Sequence, residues 1–194
     1  MSKRIAVTIV LVLTAAGVAA VIGVARATGD GKPNPPHSTF SVAQARAMRD
    51  FPVYSAGDSV DGYPLVAVLR NVGGVSNYVS FIYGDCVASG ERGCAPPAEV
   101  QVWPACVRNV SLYDGPMSPP FERTEVRGAP AFVFEEGHRI EIQTGESTVV
   151  VFGQSPELVD HVSSRLRGVN LPVQAAERLP APALGALEGK LACG

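Results

Sequence analysis

Four cysteines, three histidines and a scatter of carboxylates are the side chains in this chain that can do chemistry, so their spacing is read first. Cys86, Cys94, Cys106 and Cys193 are separated by seven, eleven and eighty-six intervening residues. A zinc site wants paired cysteines two to four residues apart, and a dithiol redox centre wants C-x-x-C; neither spacing occurs. An even number of cysteines, all beyond an apolar N-terminal run, points instead to structural disulfides. Four cysteines allow three pairings, and the expected one is Cys86–Cys94 with Cys106–Cys193. The first closes a short loop between strands, and the second ties down a C-terminal tail that has little else to hold it.

The acid–base groups converge less. His37 falls in a proline-rich stretch, His138 beside a turn, and His161 one position off the apolar stripe of a helix. Glu135, Glu136 and Glu141 surround His138 in sequence, but alternate residues of a strand face opposite ways, so a metal cluster is not expected. No nucleophile elbow, phosphate-cradling loop, dinucleotide fingerprint or H-E-x-x-H motif is present. No catalytic, cofactor-binding or metal-ligating residue is therefore assigned. The unusual local feature is the stretch from Tyr83-Gly-Asp85-Cys86 to Cys94-Ala-Pro96-Pro97. A disulfide-bounded loop with an aromatic, an acid and two prolines makes Tyr83, Asp85, Pro96 and Pro97 a possible recognition surface. Trp103 beside Pro104 is expected to pack against a disulfide, and Asn109-Val-Ser111 matches a glycosylation sequon.

The elements that must position these residues follow from the rest of the 194-residue chain. Residues 5–25 are uncharged, and a helix of that length spans about 31 Å, the thickness of a bilayer core. Lys3 and Arg4 precede the run, which keeps the N-terminus in the cytoplasm and places the remainder outside. The reading is a single-pass anchor in the lipid bilayer; the alternative is a secreted protein cleaved after Ala27, within Ala25-Arg26-Ala27. Beyond residue 27 the bases number 13 and the acids 18, a net charge of −5. That balance excludes nucleic acid as a partner.

Residues 28–38, TGDGKPNPPHS, read as a stiff spacer. Ser41-Val-Ala-Gln44 is a capping box opening a short helix to about Arg49. Strands are expected over 52–56, 65–72, 78–83, 99–103, 124–127, 131–135, 139–143 and 148–152, with turns at Glu136-Gly137 and Thr144-Gly145. Ile140 and Ile142 alternate with Glu141 and Gln143, the pattern of a sheet with one wet face. Ser155-Pro156-Glu157 starts an amphipathic helix striped by Leu158, Val159, Val162 and Leu166, stopped at Gly168. Residues 171–194, with Pro180 and Pro182, read as an extended strap. The expected architecture is α+β over residues 39–170: an antiparallel sheet, a short N-terminal helix, and a C-terminal helix packed on one face, stapled by disulfides.

The blocks FPVYSAGDSVDGYPL (51–65), VSFIYGDC (79–86), GCAPPAEVQVWPAC (93–106), TGESTVVVFG (144–153) and ALEGKLACG (186–194) together resemble uncharacterised actinobacterial proteins with one N-terminal membrane segment. The resemblance implies an extracytoplasmic domain on a membrane anchor and carries no activity or site residue. The functional expectation is a non-enzymatic envelope module that binds or supports another envelope component or ligand, without a cofactor. The alternative is an extracytoplasmic hydrolase or small-ligand carrier, which a broad apolar pocket with convergent polar groups favours over a flat, aromatic surface.

Overall fold

The computed structural model describes residues 38–73, 76–86, 94–115, 118–172 and 178–193. All belong to one compact unit, Pro33–Gly194. The expected anchor at 5–25, the cleavage site at Ala27 and the spacer up to His37 lie outside the described residues. Among those residues no helix is long and apolar enough to cross a membrane.

The chain lays down β1 (Ser38–Phe40), α1 (Val42–Ala47), β2 (Tyr54–Ser55), β3 (Ser59–Val60), β4 (Tyr63–Gly73), β5 (Ser76–Tyr83) and β6 (Ala98–Pro104). A 3₁₀ turn at Val110–Tyr113 follows, then β7 (Glu122–Val126), β8 (Ala129–Phe134), β9 (Arg139–Thr144), β10 (Ser147–Gly153), α2 (Pro156–Ser164) and β11 (Arg167–Gly168). The sheet order is β1-β4-β5-β6-β10-β9-β8-β7, with β3 beside β4, and the neighbours run antiparallel. The fold is thus a mostly antiparallel β-sheet with few helices.

Several expectations shift in detail. Ser38 belongs to β1, where it pairs with Arg70, and not to the spacer. The capping box at α1 forms: Ser41 accepts from the Gln44 N–H, and Gln44 Oε1 accepts from the Ser41 N–H. The helix nonetheless ends at Ala47, short of Arg49. The segment around Tyr54 leaves the main sheet and pairs with β11. Gly168 therefore sits in a strand rather than stopping α2, which already ends at Ser164. A side chain at Gly168 would run into Leu171, so close packing holds glycine there. Within 57–62, Ser59 and Val60 pair back onto β4, and Asp61 (φ 48) with Gly62 (φ 85) makes the two-residue turn that Asp-Gly sequences favour.

One sheet face carries the main core. Val79, Phe81, Tyr83, Val100, Val102, Ile140, Ile142, Val149 and Val151 are buried with Leu158, Val159, Val162 and Leu166 from the α2 segment. The opposite face corrects the sequence reading. Glu141 is 1% exposed and Gln143 0%, so this face is not wet. The reason is topological: after β6 the chain crosses to the far edge, β7, before the meander brings β10 back beside β6. The crossing segment, described over 105–115 and 118–121, covers the outer face, where Val110, Tyr113 and Phe121 gather with Phe132, Phe134 and Leu187.

Cys86 pairs with Cys94, and Cys106 with Cys193 at a Cα separation of 5.4 Å. The two disulfides suggest an oxidising, extracytoplasmic compartment. The tail is only partly an extended strap. Pro182 bridges to Gly145, and Leu184–Gly189 then coils through turns that bury Ala186.

Candidate functional site

The covered outer face holds a buried polar network. Arg108, on the crossing segment, forks onto Glu141 of β9: Nε donates to Oε2 at 3.1 Å and Nη2 to Oε1 at 2.5 Å. Arg108 Nη2 also donates to the Tyr113 hydroxyl at 2.8 Å, which donates in turn to Glu141 Oε1 at 2.7 Å. Arg139 adds a second cation, its Nη1 3.4 Å from the same oxygen. Burial pulls the Arg108 guanidinium down, yet the hydrogen bond and charge of Glu141 outweigh it and leave the group above its usual value. Burial, reinforced by Glu141, raises Tyr113. Further along the face Trp103 Nε1 donates to Gln101 Oε1, Gln101 Nε2 to Glu99 Oε1, and the Ser80 hydroxyl to that same carboxylate oxygen. Every carboxylate here is matched by cations or donors, which is the signature of a structural lock rather than of a reactive group.

Residues 87–93 of the expected recognition loop lie outside the described residues, and the four residues named for it differ in exposure. Tyr83 is 0% exposed; its hydroxyl accepts from the Ala56 N–H at 2.9 Å and donates to the Gly57 carbonyl at 3.2 Å. It is a core residue pinning the 56–57 turn, and burial pushes its phenol up to about 12. Asp85 is exposed, while Pro96 and Pro97 are half-buried. Gly84 (φ +111) is required because a Cβ there would meet the Pro97 ring at 2.5 Å. Tyr83 and Pro97 thus shape the strand connection.

The two described histidines, His138 and His161, have separate partners, and His37 lies outside the described residues. His138 Nδ1 lies 3.2 Å from the Gly153 carbonyl, and His161 Nδ1 lies 2.5 Å from Asp61 Oδ2, docking the β3–β4 turn on α2. Among the described residues no group of three or more His, Cys, Asp or Glu side chains can hold a metal. Trp103 is half-buried on the outer face, stacked on Tyr78 at 4.1 Å beneath Arg108. Asn109 is buried, bonded to the Ala105 carbonyl and to Ser111, so the sequon serves as the cap of the 3₁₀ turn.

What sequence reasoning passed over is an open cleft of about 770 Å³ between residues 119–122 and 133–137. Pro119, Pro120, Phe121 and Phe134 give it an apolar lining; Glu122, Glu135 and Glu136 give it an acidic rim. Phe121 meets Phe132 edge-on at 5.6 Å and Phe134 at 5.4 Å. Arg139 lies 4.3 Å over Phe134 and pairs with Glu135 at 3.3 Å, fixing that side of the rim. Glu135 (φ 54) and Glu136 (φ 55) are consecutive left-handed residues without being glycine, a conformation costing about 1 kcal/mol or more each. The signal available in the sequence was Pro119-Pro120-Phe121, two rigid residues presenting an aromatic. A smaller polar hollow of about 460 Å³ lies between Ala56–Ser59 and Arg165 with Arg167.

No protein-family model, curated protein or solved structure matches this chain.

Proposed function

We propose that the protein is a membrane-anchored extracytoplasmic binding module, held in the bilayer by residues 5–25 with its N-terminus in the cytoplasm, and that it acts by recognition rather than catalysis. The supporting observation is the open cleft between 119–122 and 133–137, where an apolar, aromatic lining meets a carboxylate rim. A small-ligand carrier encloses most of its ligand's surface. This cleft is open and continues to the edge of the sheet, which suits a larger partner. The buried carboxylates elsewhere are saturated by arginines and hydroxyls, so they serve the fold.

Photo-cross-linking in intact cells tests the reading. p-Benzoylphenylalanine placed at Pro120 or Glu136, both exposed on the cleft, is compared with the same group at Arg46, exposed on α1. Adducts of one defined mass from the cleft positions and none from Arg46 are expected. Identical adducts from all three positions, or none from the cleft, overturn the assignment.

A further inference from the structure

The cleft adjoins an open sheet edge, and together they say what kind of molecule fits. The inference rests on the cleft being the binding surface and adds the class of its occupant. β7 stands last in the sheet: Glu122 to Val126 pair with β8 on one side, and no described residue pairs with the other. Side chains 122–125 are exposed. Such an edge presents a row of backbone donors and acceptors ready for a further strand. Glu122 belongs both to this edge and to the cleft lining, so the two surfaces are continuous.

The charges set the sign of the partner. Arg139 is already engaged with Glu135 and Glu141, and Arg123 lies over the Phe121 and Phe132 rings. Glu122 and Glu136 have no ion-pair partner among the described residues and flank the cleft. We propose that the occupant is an extended basic peptide segment that adds a strand to β7, seats an apolar side chain against Pro119, Pro120 and Phe121, and sets lysine or arginine opposite Glu122 and Glu136. Backbone bonds supply the generic affinity, and the cleft and rim supply selection, the division of labour usual in strand addition.

The test uses the full-length protein in detergent micelles and fluorescein-labelled, amidated hexapeptides in which Lys alternates with Phe, Leu, Ile or Val. Anisotropy is expected to show binding of at least one Lys peptide and about tenfold weaker binding of its Glu counterpart. N-methylation of alternate peptide bonds is expected to abolish binding in one register and spare it in the other, because only one set of N–H groups faces the edge. The double variant Glu122→Gln/Glu136→Gln, at exposed positions, is expected to weaken the Lys peptide about three- to tenfold without altering the melt of the free protein. Failure of every Lys peptide to bind, equal binding of the Glu series, or the same response in both N-methyl registers overturns the proposal. If cleft cross-links persist in cells while the peptides fail, strand addition falls and the cleft assignment stands. If the cross-links lose their position dependence, both fall.

Discussion

Glu141 shows how much a single residue carries in this protein. Its carboxylate is buried under the crossing segment and receives Arg108, Tyr113 and Arg139. Removing one member of a buried pair strands the other's charge. Glu141→Ala is therefore expected to lower stability by about 3–5 kcal/mol, read as a fall in the urea midpoint. A loss below about 1 kcal/mol would mean that Arg108 finds water once its partner is gone. Tyr83 gives a second prediction at this scale, through pH. Its folded pKa, raised by burial to about 12, exceeds the ordinary value of 10.0. The unfolded chain then ionises first, so the stabilisation is complete below pH 10 and is lost as pH climbs toward 12. The loss amounts to roughly 2–3 kcal/mol. Urea unfolding at pH 8, 10 and 12 should show this fall, and Tyr83→Phe should flatten its share of the slope while lowering stability at pH 8 by the lost hydrogen bonds. An unchanged slope in Tyr83→Phe would assign the alkaline transition to other groups.

The elements were legible where local rules act alone and obscure where topology intervenes. Ser155 caps α2 by accepting from the Leu158 N–H, with Pro156 at its first turn, as its sequence foretells. The meander of β8, β9 and β10 is equally plain, because glycines mark its corners. Glu141 and Gln143 misled because alternation reports only that two faces differ; it does not say what covers the second. That depends on residues 105–115 and 118–121 lying across the sheet, a long-range fact invisible to a window of ten residues. The cleft was missed for the same reason, since 119–122 and 133–137 meet only once the crossover is in place. Leu166 shows the reverse case. It lies beyond the last turn of α2 yet remains fully buried, because β11 carries it under the sheet. Leu166→Asp would bury an unpaired carboxylate and is expected to cost about 3 kcal/mol or more, seen as a fall in melting temperature. A melt equal to that of the parent protein would place Leu166 at a water-accessible site.

At the scale of the whole molecule the two disulfides divide unequally. Cys86–Cys94 closes a loop with a sequence separation of 8, whereas Cys106–Cys193 spans 87. Chain-entropy reasoning values them at about 2.6 and 4.6 kcal/mol respectively, a ceiling in each case. Structure adds to the same ordering. The long bond fastens the tail whose Leu179 and Ala186 are buried and whose Leu187 packs with Val110, Phe132 and Phe134. The short bond closes a connection that Gly84 and Pro97 already shape by contact. Replacing Cys106 and Cys193 together with alanine should therefore destabilise the protein by about 2 kcal/mol more than replacing Cys86 and Cys94. It should also raise hydrogen exchange across 178–193 and across 105–115 beneath it, while the β8–β10 meander stays protected. The pattern follows from where the tail lies, since its release uncovers the small outer cluster and takes only Leu179 from the main core. Equal losses for the two double variants, or exchange that rises first in the meander, would mean that the tail rides on the sheet without holding the crossover in place.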